Sequence, residues 1–155
     1  MIKGIEIEFR IALREDLPTV IALLMDDALG HTREGLSSVP NAEYLKSFEE
    51  IERDPNNEII VGLRDGVVVA VLQLTYIPSL SLQGTQRVLI EGVRVSSHLR
   101  GEGIGRKLLE EAFTRARARG CTLAQLTTNK IRTDAIRFYE GLGFQATHQG
   151  MKLKL

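Results

Sequence analysis

The sequence predicts an α/β protein of mixed, α+β topology, and three stretches carry that prediction. Ile5, Ile7, Phe9 and Ile11 alternate with Glu6, Glu8 and Arg10, the period-two pattern of a half-buried strand. Arg64-Asp65-Gly66 joins two β-rich runs, 59–63 and 67–76, in the manner of a tight hairpin. Arg100-Gly101-Glu102-Gly103-Ile104-Gly105 follows an apolar run and opens an amphipathic helix, as a strand–helix–strand crossover does. A hairpin and a crossover in one chain imply a sheet with both antiparallel and parallel pairs.

The elements follow in order. After the first strand, Asp16 offers an N-cap oxygen and Pro18 falls in the first helical turn, where its missing N–H costs little. Val20, Leu23, Leu24 and Ala28 make the stripe of that helix. Residues 30–40 read as a polar loop, and Asn41 caps a second helix bearing Tyr44, Leu45, Phe48 and Ile51. Asp54-Pro55-Asn56-Asn57 stops it, and the hairpin comes next. Residues 78–86 read as a loop and 88–95 as a strand. Ile104, Leu108, Ala112, Phe113 and Ala116 then mark one face of a long helix ended by Gly120. Residues 121–127 form a further strand, 133–142 a shorter helix closed by Gly143, and 144–155 one or two final strands.

A chain of 155 residues suits one domain, here taken as 1–155, since no linker, repeat or low-complexity tract divides it. Its formal net charge of zero provides no electrostatic footprint for nucleic acid or an anionic membrane surface. No apolar run approaches the ~20 residues of a membrane span, and the N-terminus lacks a signal-peptide core. One cysteine, Cys121, cannot form an intrachain disulfide and suits a reducing compartment, so the expected location is cytoplasmic. His31, His98 and His148 are scattered without metal-ligand spacing, and no metal is implied.

Glycines that leave backbone N–H groups uncovered at a helix N-terminus form a cradle for phosphate. The dinucleotide fingerprint does not fit: from Gly101 its third glycine would fall at Arg106, and from Gly103 at Leu108. No Gly-Lys-Ser/Thr of a Walker loop occurs. What remains is Arg100-x-x-Gly103-x-Gly105 after Val93-Arg94-Val95 and before a helix. This resembles the Gln/Arg-x-x-Gly-x-Gly/Ala acyl-CoA signature of the GNAT superfamily of N-acetyltransferases. Upstream, Ile90-Glu91-Gly92-Val93-Arg94-Val95 looks like that family's fourth strand, and 129–144 is similar to its Ala-x-x-Phe-Tyr-x-x-x-Gly-Phe block.

The resemblance implies a GNAT-like, mostly antiparallel sheet of about six to seven strands flanked by about four helices, with the fourth and fifth strands splayed. It implies an acetyl group moved from acetyl-CoA to a primary amine of a small molecule or peptide, by direct attack in a ternary complex. The N–H groups of Gly101, Glu102, Gly103, Ile104, Gly105 and Arg106, with Arg100, would hold the pyrophosphate. Val93, Arg94 and Val95 would pair with pantetheine as a strand edge, and Asn129 would touch it further along. An N–H near Val93 would receive the thioester oxygen. Arg132 stands where the family often has asparagine, and Arg132 or Arg137 could reach CoA phosphates instead. Homodimers are common in the family.

Acetyl transfer needs a neutral amine, and one with a lysine-like pKa of ~10.4 must lose its proton at a cost of roughly 4–5 kcal/mol at pH 7. Glu91 is the candidate base; in a regular strand it shares a face with Leu89, Val93 and Val95, whose apolar surroundings would raise its basicity. A bulge near Gly92 would instead turn it outward or into a salt bridge. Tyr139 matches the family tyrosine that hydrogen-bonds the departing sulfur, or else packs with Ala135, Ile136 and Leu142. Asn129 is equally readable as a turn or cap residue. Cys121 reads as a buried strand cysteine, and Arg115, Arg117 and Arg119 as a solvated helix face. His31, Arg33, Glu34, Tyr44 and Tyr76 are candidate acceptor contacts. A non-catalytic acyl-CoA-binding or sensing module, and acetylation of a protein N-terminus or lysine, stay open beside the small-amine reading.

Overall fold

A computed structural model describes residues 6–27, 29–30 and 41–155, which divide into two compact units, Met1–Gln125 and Leu126–Leu155. The first holds the sheet: β1 (Glu8–Ile11), β2 (Asn57–Arg64), β3 (Val67–Ile77), β4 (Arg87–Val95) and β5 (Leu123–Gln125). They lie side by side in sequence order, antiparallel up to β4, with β4 and β5 parallel. Asp65 and Gly66 sit at φ of 51° and 78°, the left-handed pair that a two-residue hairpin turn requires, and so fix the β2–β3 register at Arg64 opposite Val67.

Helix α1 (Leu17–Met25) carries Pro18 in its first turn as predicted, but Asp16 does not cap it. Its carboxylate turns back to accept from the Leu13 N–H at 2.7 Å and from Arg10, because that guanidinium offers a stronger, charge-assisted partner. Helix α2 (Ala42–Arg53) begins as predicted, with Asn41 Oδ1 accepting from the N–H groups of Glu43 and Tyr44. Helix α3 (Ser81–Gly84) is a single turn within the predicted loop, with Leu82 and Gln83 left-handed. Helix α4 (Ile104–Ala118) is the crossover that parallel β4 and β5 need.

Strand alternation gives the sheet two buried faces. On one, Leu17, Val20, Ile21 and Leu23 of α1 and Phe48 of α2 pack on Val61, Leu63 and Val71. On the other, Ile60, Leu72, Leu74, Val88 and Ile90 are buried, where α4 lies against β3 and β4 through Ile104, Leu108, Leu109 and Ala112. Each such side chain stabilises the fold by about 1.5–3 kcal/mol. Ile11, predicted inward, is half exposed on the edge strand β1. Among the described residues no helix is long and apolar enough to cross a membrane.

The second unit contains α5 (Thr133–Glu140) and its flanking turns. Gly143, at φ 97°, ends the turn after it, and Phe144 N–H bonds back to the Tyr139 carbonyl at 3.1 Å. The strands expected over 144–155 are absent. Met151, Leu153 and Leu155 alternate with lysines, yet a strand exists only through ladder bonds, and this unit has no second strand to supply them. Among the described residues there are thus five strands instead of six to seven, and five helices instead of about four.

Candidate functional site

The strand-to-helix loop after β4 is built by two left-handed glycines. Gly101 and Gly103 have φ of 84° and 83°, and a β-carbon at either would meet nothing within 4 Å. Backbone conformation, not crowding by the protein, therefore demands glycine there, and the space above both stays open. Gly103 is the N-cap of α4 and offers no capping side chain. The first-turn N–H groups of α4, which have no intrahelical acceptor, are thus presented at the positive end of the helix dipole. Ile104 is buried beneath, and Glu102 turns aside to Arg64 at 2.9 Å. First-turn amides beneath open space are a donor set that fits a diphosphate.

Arg100 is engaged with the protein. Its Nη2 donates to the Asp26 carbonyl at 2.6 Å and its Nε to the Val95 carbonyl at 3.3 Å. The Ser97 N–H donates to Asp26 Oδ2 at 2.8 Å, so one residue at the end of α1 holds both ends of the turn. Asp27 likewise pairs with Arg94 of β4 at 3.3 Å. Sequence reasoning missed Asp26 and Asp27. Their signal was an anomaly: two acids at a helix C-terminus, where the dipole disfavours them, need partners elsewhere.

Strand β4 contains the bulge. Gln73 faces Glu91 and Val71 faces Arg94, so Gly92 and Val93 together oppose Leu72, with Gly92 at φ 61°. The expectation that Glu91 shares a face with Val93 and Val95 is therefore corrected. One inserted residue inverts the alternation, leaving Glu91 on the α1/α2 face with Leu89 and Arg94. Of the apolar neighbours expected for it only Leu89 remains: Glu91 is exposed, with Gln73 across the ladder, and forms no hydrogen bond or ion pair among the described residues. Beside it Thr75 Oγ1 and Gln73 Nε2 donate to Asn57 Oδ1 at 2.7 and 3.2 Å.

The pairing of β5 with β4 covers only Arg87 to Leu89. From Ile90 to Val95 that edge of β4 has no strand beside it among the described residues, as splayed strands require. Here Val93, Arg94 and Val95 expose a backbone edge, with the Val93 carbonyl already accepting from Arg94 Nη1 at 2.8 Å.

Other candidates fall elsewhere. Tyr76 lies on the opposite, α4 face: its hydroxyl donates to Glu58 at 2.8 Å, Arg119 stacks over its ring at 4.3 Å, and burial pushes its pKa up. It faces away from Glu91, since Tyr76 pairs with Val88 on the side of the sheet where Leu72 and Leu74 lie, whereas Glu91 pairs with Gln73 on the other. Arg115 and Arg119 are correspondingly not a free solvated face, because Arg115 pairs with Glu111 and Glu58. Tyr44 packs against the α1/α2 core, whereas His31, Arg33 and Glu34 lie outside the described residues. Cys121 is buried just before β5, and burial raises its thiol pKa.

In the second unit, Asn129 Oδ1 accepts from the Ile131 N–H at 3.1 Å, a turn-forming role. Tyr139 is half-buried with its ring against Phe138 and edge-on to Phe144. Arg132 is the N-cap of α5, and Arg137 pairs with Asp134 at 3.0 Å.

Known proteins agree with this architecture. The model of the acetyltransferase (GNAT) family matches residues 20–144. An aminoalkylphosphonate N-acetyltransferase of Salmonella typhimurium is 30% identical over 91% of this chain and 86% of its own. A glucosamine 6-phosphate N-acetyltransferase of Trypanosoma brucei brucei is 27% identical over 97% of both. A crystal structure from Bacillus halodurans, described as a transcriptional regulator, superposes with a TM-score of 0.92 at 45% identity, covering 97% of this chain and 100% of that one. With a family match across most of its length and a whole-chain relative among acetyltransferases, this chain belongs to the GNAT acetyltransferase family and is an acyltransferase.

Proposed function

We propose that residues 1–155 form a single GNAT-type N-acetyltransferase domain that moves the acetyl group of acetyl-CoA to the primary amine of a small molecule. The observation that carries this reading is the joining of three features on one strand and its exit. Glu91 is exposed, the edge from Ile90 to Val95 is open, and the Gly101/Gly103 loop leads into α4. The loop amides from Gly101 to Arg106 hold the pyrophosphate, and the edge of Val93 to Val95 pairs with the pantetheine amides. Arg100 acts by shaping the loop, since its guanidinium already serves the Asp26 and Val95 carbonyls.

In the reaction Glu91 takes a proton from the acceptor ammonium, directly or through water. The neutral amine attacks the thioester carbon, a C–N bond forms, and a backbone N–H near Val93 receives the charge developing on oxygen. The C–S bond breaks, the attacking nitrogen loses its second proton to the departing thiolate or to water, and Tyr139 donates a hydrogen bond to that sulfur or relays the proton to it. A thiol of pKa ~8.5 leaves tolerably as thiolate, so the Tyr139 contribution is modest. Asn129 contacts the pantetheine with its amide while its oxygen holds the turn.

A small acceptor is supported by the two whole-chain relatives, both named for amines of small molecules. Peptide ends and lysines are the alternative acceptors. A second reading, an acyl-CoA-binding regulator without turnover, is favoured by the description of the 45% identical structure. The deciding experiment is thiol release from acetyl-CoA across amines, amino acids, polyamines and peptides. Release with a small amine supports the enzyme, whereas tight acetyl-CoA binding with no release on any acceptor supports the regulator. We place the protein in the cytoplasm as a homodimer; a monomer by light scattering would overturn the second point.

A further inference from the structure

Arg87 opens β4 on the same face as Glu91, with Leu89 between them. Its Nη1 donates to Ser79 Oγ at 2.8 Å, but its Nε is buried without a hydrogen-bond partner, and no carboxylate among the described residues pairs with it. A half-buried guanidinium with an orphaned N–H and no counter-ion is costly, and native proteins rarely leave one so. Ser79 takes Nη1 and Nε is shielded from solvent, which leaves Nη2 to meet a planar or tetrahedral oxyanion. The loop that carries Ser79 continues into left-handed Leu82 and Gln83, and strained backbone of this kind concentrates at ligand sites.

We propose that Arg87 and Ser79 form an anion subsite for the acceptor, which is therefore a zwitterionic amine: ammonium at Glu91, oxyanion at Arg87 and an uncharged linker over Leu89. This rests on the acetyl-transfer reading above and names its substrate class. Four residues of extended strand set the two ends about 13 Å apart at Cα, at ~3.3 Å per residue, and both side chains can lean inward. The fitting acceptor thus has several bonds between amine and anion. The shared chemistry is an oxyanion, either carboxylate or phosphate.

The test compares kcat/KM for ω-amino acids, ω-aminoalkyl phosphates and alkylamines of matched length, measured by thiol release. In the wild-type protein the anionic series exceeds the neutral one by roughly tenfold or more, with an optimum at intermediate linker length. The preferred series identifies carboxylate or phosphate. Arg87→Met brings the anionic-to-neutral ratio near one through KM for the anionic acceptor, Arg87→Lys restores part of it, and Arg117→Met, exposed on α4, keeps it. Equal efficiency for charged and neutral amines in the wild-type protein overturns the subsite, whether or not the variants fold. So does an Arg87→Met ratio unchanged from wild type. Thiol release with none of the amines overturns the acetyl-transfer reading and the subsite with it.

Discussion

The backbone carbonyl of Asp26 accepts a hydrogen bond from Arg100 across 74 positions of sequence, at 2.6 Å. The first residue of the glycine loop is thereby held by the end of α1, and the Asp26 carboxylate holds Ser97 at the other side of the same turn. The end of α1 and the glycine loop share one clamp. Asp26→Ala removes the Ser97 bond, a change of about 1 kcal/mol. We expect KM for acetyl-CoA to rise several-fold with kcat less affected. An effect confined to kcat would show that the clamp does not shape the loop.

Gly103→Val places a branched side chain at φ 83°, in the left-handed region, and fills the open space over the loop. The backbone strain alone is about 1–2 kcal/mol. Acetyl-CoA affinity by calorimetry should be largely lost, with thermal melting as the control for folding. Undiminished affinity would remove the phosphate assignment.

Glu91→Gln keeps shape and removes the proposed base. Turnover should fall by roughly 10²–10⁴, with the loss partly recovered at high pH, where the acceptor amine is already neutral. An unchanged pH–rate profile would assign Glu91 to solvent alone.

If the phenol acts on the departing sulfur as proposed, Tyr139→Phe lowers turnover modestly and leaves acetyl-CoA affinity nearly intact, since the ring packing with Phe138 and Phe144 is retained. Full activity would reduce Tyr139 to packing.

The Arg10–Asp16 pair ties β1 to the start of α1 through bonds of 2.6 and 3.0 Å. Arg10, and then the Leu13 N–H, hold the Asp16 carboxyl below its usual range despite opposing desolvation. A depressed acid stabilises the fold fully above its unfolded pKa of ~3.9, and that contribution is lost as pH falls through the lower folded value. Asp16→Asn should therefore destabilise by about 1–3 kcal/mol at pH 7. The gap to wild type should close only below about pH 4. A gap independent of pH down to full acid unfolding would mean the charge contributes nothing.

What the amino-acid order alone determined is local. Asp65-Gly66 needs only its own φ angles to make the turn, Asn41 needs only the two N–H groups that follow it, and Gly101 and Gly103 need only their left-handed φ to turn the strand into the helix. The long helix and the family resemblance were legible for the same reason. Tertiary structure decided the rest, because it depends on partners distant in sequence. The side on which Glu91 emerges is set by an extra residue in β4 measured against β3, and Tyr76 goes to the α4 face through the same ladder. Arg100 became a shaping residue because Asp26 reached it. The alternating pattern of 151–155 carries no ladder of its own and yielded no strand. Turns and caps are satisfied within a few residues, whereas strand facing and ion pairing are settled only when separate segments meet.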